Sequence, residues 1–154
     1  MTADDLKLEK QVCFALYAAS RAVTGLYRPA LDALGLTYPQ YLVLLVLWER
    51  GPVLVKELGQ ALDLDSGTLS PLLKRLEAAG LVRRARCAED ERAVRIHLTD
   101  DGAALRDRAT SVPRKLSGAT GMAREDLEAL RQNLVRLTEE ITAQQDRTRR
   151  GSAP

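Results

Sequence analysis

Cys13 stands in "QVCFALYAASR", residues 11–21, beside Phe14 and Tyr17, in a chain of 154 residues that has one phenylalanine, four tyrosines and one tryptophan. All six aromatic residues (Phe14, Tyr17, Tyr27, Tyr38, Tyr41 and Trp48) lie within 35 residues of that cysteine. A thiol in its thiolate form is a nucleophile toward peroxides, and buried phenols need hydrogen-bond partners, for which a thiolate is an acceptor. A core made elsewhere of Leu, Val and Ala has no need of tyrosines. From the residues alone Cys13 is either a small buried hydrophobe or a reactive thiol. The only other cysteine, Cys87, is 74 positions away. No CxxC is present, so neither a zinc knuckle nor a disulfide framework is expected, and any thiol chemistry rests on single cysteines. His97 has no ligand partners within sequence reach and reads as an ordinary strand residue, so no metal site and no cofactor are expected.

A second set of chemically capable residues lies in "DLDSGTLSPLLKRLEAAGLVRR". Leu69, Leu72, Leu73 and Leu76 recur at i, i+3, i+4 and i+7, the apolar stripe of a helix, while Ser66, Thr68, Ser70, Lys74 and Arg75 make the opposite face polar. Asp65 or Ser66 is a ready N-cap, and Gly80 takes the left-handed position after the helix. Pro71 removes the hydrogen bond to the Gly67 carbonyl. "LVRRARCAEDERAVRIHLT" reads as two strands, about 81–86 and 93–98, around a polar turn holding Asp90 and Arg92. From Lys74 to Arg86 five basic residues face one acid, Glu77, although the whole chain has 23 basic and 21 acidic residues and its net charge of +2 announces nothing.

The elements that must carry these residues follow from the remaining pattern. Residues 5–34 read as one long helix that Gly25 and Pro29 should bend or interrupt; on this reading Cys13 lies about two turns inside it, too far for the helix dipole to act on the thiol. Thr37 and Gln40 have the spacing of a capping box, with Pro39 in the first turn. The helix they start, "YLVLLVLWER", is apolar all round and should be central. A short helix over about 55–62 precedes the amphipathic one, Thr99 with Asp100 and Asp101 caps another, and 123 to about 146 makes a last one. Neither a membrane span nor a signal peptide is recognisable, so a cytoplasmic protein with no membrane partner is expected.

Short helix, tight turn, amphipathic helix with small residues at its start, then a basic hairpin is the order of a winged helix-turn-helix. Small residues at Ser66, Gly67 and Thr68 let a helix N-terminus approach a major groove, Lys74 and Arg75 suit phosphates or guanine edges, and Arg92, oriented by Asp90, suits a narrow minor groove. The fold class expected is mainly α with a small β-hairpin wing (α+β).

"LDSGTLSPLLKRLEAAGLVRR" followed by "AEDERAVRIHLTDDG" resembles the MarR family of dimeric winged-helix regulators, and "LEKQVCFALYAASRAVTGLYRPALDALGLTYPQYLVLLVLWE" is similar to its organic hydroperoxide-sensing, OhrR-type branch. The resemblance covers about residues 6–110. It implies a homodimer built from N- and C-terminal helices (1–36 and 112–146) and a DNA-binding region over 37–111, while the Gly, Ser and Pro of "RTRRGSAP" read as a flexible tail over 147–154. It also implies a double-stranded, pseudo-palindromic operator contacted by Ser66, Gly67, Thr68, Ser70 and Arg75, with Asp90 and Arg92 in the wing. Cys13 becomes the redox-sensing residue, hydrogen-bonded by Tyr27 and Tyr38 of the partner chain, and organic hydroperoxide the signal. Members with a second working cysteine carry it in the C-terminal helical region, where this chain reads "SGATGM" at 117–122; the resemblance is to the one-cysteine type, in which a small thiol can form a mixed disulfide with Cys13. Two alternatives differ in class: a MarR-type repressor induced by a small aromatic ligand, and a thiol peroxidase.

Overall fold

The computed structural model describes residues 6–90 and 92–151, without the side chains of 114–117, 150 and 151. It contains α1 (Val12–Asp32), α2 (Tyr38–Arg50), β1 (Val53–Leu54), α3 (Val55–Leu62), α4 (Ser66–Ala78), β2 (Val82–Arg86), β3 (Val94–Leu98), α5 (Asp100–Ala109), α6 (Ser111–Ala119) and α7 (Arg124–Gly151). Two compact units divide at Leu116 and Ser117. No helix among the described residues is long and apolar enough to cross a membrane.

In the first unit α2 is the central post. The capping box is formed: Gln40 Oε1 accepts the Thr37 N–H at 2.9 Å and Thr37 Oγ1 accepts the Gln40 N–H at 3.4 Å, with Pro39 in the first turn. Tyr41, Val43, Leu44, Val46 and Leu47 are buried, and Leu58, Leu69, Leu72, Leu73 and Leu76 close around them. Each such leucine contributes about 1.5–3 kcal/mol on leaving water. The helix is not apolar all round in effect, because Leu45 remains 39% exposed.

The sheet is three-stranded, ordered β1-β3-β2 and antiparallel throughout, with Val53 opposite Ile96 and Arg84 opposite Ile96 on the other side. The third strand, β1, was not expected: two residues are too few to show alternation, and "VLV" runs straight into α3. Gly59 permits the turn into α4, since a Cβ there would lie 2.9 Å from the Leu64 carbonyl oxygen. At the other end of α4, Gly80 at φ +72° donates to the Glu77 carbonyl and Leu81 to that of Leu76, a Schellman motif.

The single helix expected over 5–34 is divided. Leu8–Lys10 forms a 3-10 turn, Gln11 is extended, and α1 starts only at Val12. Pro29 does not interrupt α1, which continues to Asp32; it removes only the hydrogen bond to the Gly25 carbonyl. Gly35, at φ +69°, follows the helix end.

The second unit contains α7, whose Leu130, Leu134, Leu137 and Ile141 recur at helical spacing and are 36–49% exposed. The helix extends to Gly151, so the tail expected from Arg147 is helical to that point; residues 152–154 lie outside the described residues.

Candidate redox site and nucleic-acid interface

Cys13 is the second residue of α1, a free and exposed thiol, rather than two turns inside a helix. The first turn of a helix has N–H groups without intrahelical acceptors, and the positive end of its dipole favours an anion. Gln11 supplies no side-chain cap there. One turn on stands Tyr17, and one turn further Arg21, whose guanidinium carbon lies 5.7 Å from the Tyr17 ring centroid. Thiol, phenol and guanidinium thus follow one another along a single helix face, which the spacing i, i+4, i+8 could have disclosed. Val12, Phe14, Tyr17, Val23 and Leu26 leave α1 with 39–68% exposure at its large apolar residues.

The phenols that should serve Cys13 are at the opposite end of α1. Tyr27 and Tyr38 rings are 4.9 Å apart, Tyr27 and Tyr41 6.1 Å, and Tyr41 meets Trp48 edge-on at 6.3 Å. Burial, with smaller contributions from Tyr38 and Tyr41, pushes the Tyr27 phenol up to about 12, and burial and Tyr38 raise Tyr41 as well. Such phenols stay protonated and remain donors. Between Cys13 and Tyr27 the helix has no proline and spans fourteen residues, about 21 Å at 1.5 Å per residue. Within one chain the two do not meet.

The helix-turn-helix and hairpin surround a cleft of about 1140 Å³. Ser66 and Ser70 line it from α4, Asp90 and Arg92 from the hairpin, and Lys56 and Gln60 from α3. Gly67, Thr68, Lys74 and Arg75 are exposed on α4 outside that cleft. Asp65 is the N-cap: its carboxylate accepts the Thr68 N–H at 2.8 Å and the Thr68 hydroxyl at 3.2 Å, and these bonds hold it below the usual carboxylate range. The Thr68 hydroxyl is therefore first a capping group. Asp90 shapes the hairpin tip through the backbone, Oδ1 accepting the Arg92 N–H at 2.9 Å, while its carbonyl accepts from Ala93 at 3.0 Å.

Arg84 was missed by the sequence reading, although strand alternation places it on the inner face with Ile96. Its Nε lies 3.1 Å from Glu77 Oε2, an ion pair whose N–H is not aimed at the oxygen, and Nη2 reaches the Ser70 carbonyl at 3.4 Å. This fixes the hairpin against α4. Lys56 and Arg92 on the cleft and Lys74 and Arg75 on α4 are exposed cations available to an external anion. His97 lies opposite Arg83 on the sheet, and burial, Arg83 and Arg95 lower its pKa. No group of three or more His, Cys, Asp or Glu residues among those described is placed to hold a metal ion. Cys87 is half-buried at the hairpin, where its N–H bonds the Ala93 carbonyl.

A family model described as "Transcriptional regulator SarA/Rot" matches residues 25–108. The organic hydroperoxide resistance transcriptional regulator of Bacillus subtilis is 51% identical over 138 residues, 90% of this chain and 94% of that protein. The chain belongs to the MarR-type winged-helix transcriptional regulators, in the organic hydroperoxide branch. The HTH-type transcriptional regulator TtmR of Methylorubrum extorquens is 52% identical over 140 residues, 91% of this chain and 72% of that protein. Among solved structures, reduced AbfR bound to DNA covers 92% of this MarR-type chain and 99% of its own at 34% identity and a TM-score of 0.77. Overoxidised AbfR bound to DNA gives 35% identity, the same coverages and a TM-score of 0.74.

Proposed function

We propose that this protein is a cytoplasmic, homodimeric repressor that binds a pseudo-palindromic DNA operator and leaves it when Cys13 is oxidised by an organic hydroperoxide. The observation that carries the reading is the exposed thiol in the first turn of α1, at the far end of an unbroken helix from a cluster of protonated phenols. A second chain supplies what one chain lacks: Tyr27 and Tyr38 of the partner hydrogen-bond the sulfur, and the exposed apolar faces of α1 and α7 become the dimer interface. Residues 1–36 and 112–146 then form the dimerisation region and 37–111 the DNA-binding region.

The chemistry balances without a cofactor. The Cys13 thiolate attacks one peroxide oxygen; the S–O bond forms as O–O breaks, two electrons pass from sulfur, and the alkoxide leaves and takes a proton as the alcohol. The sulfenic acid then condenses with a small thiol to a mixed disulfide and water. AbfR in its overoxidised form is found on DNA; this favours the bulkier mixed disulfide as the form that releases the operator. On DNA, Ser66, Gly67 and Ser70 bring α4 to the major groove, Lys74 and Arg75 meet phosphates or guanine edges, and Arg92, its backbone set by Asp90, enters the minor groove. Thr68 approaches with them, its hydroxyl held by the cap. Half-sites about 34–36 Å apart match a dimer that reads successive major grooves.

Intact-mass measurement tests the chemistry. After cumene hydroperoxide and free cysteine, wild type should gain one cysteinyl adduct per chain at Cys13, and continued hydroperoxide should not be consumed catalytically. Adduct only at Cys87, or steady turnover of peroxide, would overturn the reading, the latter in favour of a thiol peroxidase. Release from DNA by a small aromatic compound without any adduct would favour the ligand-induced alternative.

A further inference from the structure

A directional chain of contacts leads from the phenol cluster to the far end of α4. Tyr41, which neighbours Tyr27, meets Trp48 two turns along α2. Trp48 donates its indole N–H to the Gly102 carbonyl at 2.9 Å, joining α2 to the first turn of α5 across 54 residues of sequence. Gly102 donates its own N–H to Thr99 Oγ1 at 3.1 Å, and that hydroxyl donates to the Gly80 carbonyl at 2.6 Å. The Thr99 N–H bonds the Leu81 carbonyl at 3.1 Å. Gly80 and Leu81 form the Schellman end of α4, so the chain of bonds terminates on the helix that carries Ser66 to Arg75. Its middle is rigid: Gly102 is buried, and a Cβ there would run into the Leu81 carbonyl.

We propose that Trp48 is the positioning residue that couples the Tyr27–Tyr38 end of the molecule to the C-cap of α4. The inference rests on the function proposed above and names the route by which the thiol's state reaches the DNA-reading helix. The indole N–H has one proton and aims it at a backbone acceptor, so a displacement of α2 must move α5 or lose the bond. Movement of α5 passes to α4 because Thr99 is both the N-cap of α5 and the donor to Gly80. Trp48 does not touch the thiol, and its part in the function is the coupling.

The test uses the full-length protein and fluorescence anisotropy on its own upstream DNA, reduced and after cumene hydroperoxide with free cysteine. Wild type is compared with Trp48→Phe, Thr99→Val and Thr99→Ser, with circular dichroism to verify folding. Trp48→Phe and Thr99→Val should bind as wild type when reduced and lose roughly 2- to 30-fold of the oxidised-to-reduced difference in Kd. Thr99→Ser, which keeps the hydroxyl, should restore the wild-type difference. Equal release of all four proteins overturns the coupling and leaves the proposed function intact. Loss of reduced binding in both folded variants also overturns it, because the contacts would then only assemble the reading head. A wild type that stays bound after oxidation overturns the function on which the inference rests.

Discussion

Replacing Arg92 by alanine should weaken DNA binding and reduce the slope of log K against log salt by about 0.9, the release of one counterion. Its backbone is held by Asp90 whatever the side chain, so the hairpin should survive; a titration of affinity over several salt concentrations checks both statements. Asp65 gives a pH prediction whose sign follows from its depressed pKa. Its contribution to stability is complete above the ordinary carboxylate value near 3.8 and drains away as pH falls through the lower folded value. Thermal melts of wild type and Asp65→Asn between pH 5 and pH 2 should therefore converge as the pH falls. A difference that is constant across that range would remove Asp65 from the acid-sensitive groups. At this scale the sequence disclosed Asp65 or Ser66 as the cap, which the structure decides for Asp65, and Cys13 as the thiol to consider, because both signals are local. Arg84 escaped because its meaning lies in Glu77 and Ser70, partners on another element.

Among the described glycines, a Cβ would meet backbone most tightly at Gly102, where α5 lies against the Leu81 carbonyl at the end of α4. Gly102→Ala should cost about 1–3 kcal/mol of stability, since the added methyl meets backbone that cannot rotate away. Gly59→Ala, facing the Leu64 carbonyl oxygen at 2.9 Å, should cost less if the turn relaxes, and urea denaturation of the two variants ranks them. The helices with strong end signals were legible: Thr37 and Gln40 begin α2, Asp65 begins α4, Gly80 follows it and Thr99 begins α5. The start of α1 was not, because Gln11 has no capping side chain in use and the apolar spacing continues across the break. That misplacement hid the electrostatic setting of Cys13. The two-residue β1 was invisible for a related reason, since its pairing with β3 is a long-range contact that no local period announces.

For the whole molecule the account requires a dimer, because a single chain exposes the apolar residues of α1 and α7 and keeps Cys13 about 21 Å from Tyr27. Sedimentation velocity at micromolar concentration should show a dimer, and Leu134→Glu with Ile141→Glu should shift it toward monomer and abolish operator binding. A wild-type monomer that binds DNA fully would contradict this. The layout of the DNA-reading region was legible because helix, turn, helix and hairpin follow one another in sequence; the pairing of thiol and partner phenols came only from the family resemblance, because spacing along one chain keeps Cys13 and Tyr27 apart. The most direct test compares wild type and Cys13→Ser on the same upstream DNA, before and after cumene hydroperoxide with free cysteine. The account predicts equal binding when both are reduced, then loss of binding by wild type alone. Release of both proteins, or of neither, would contradict it.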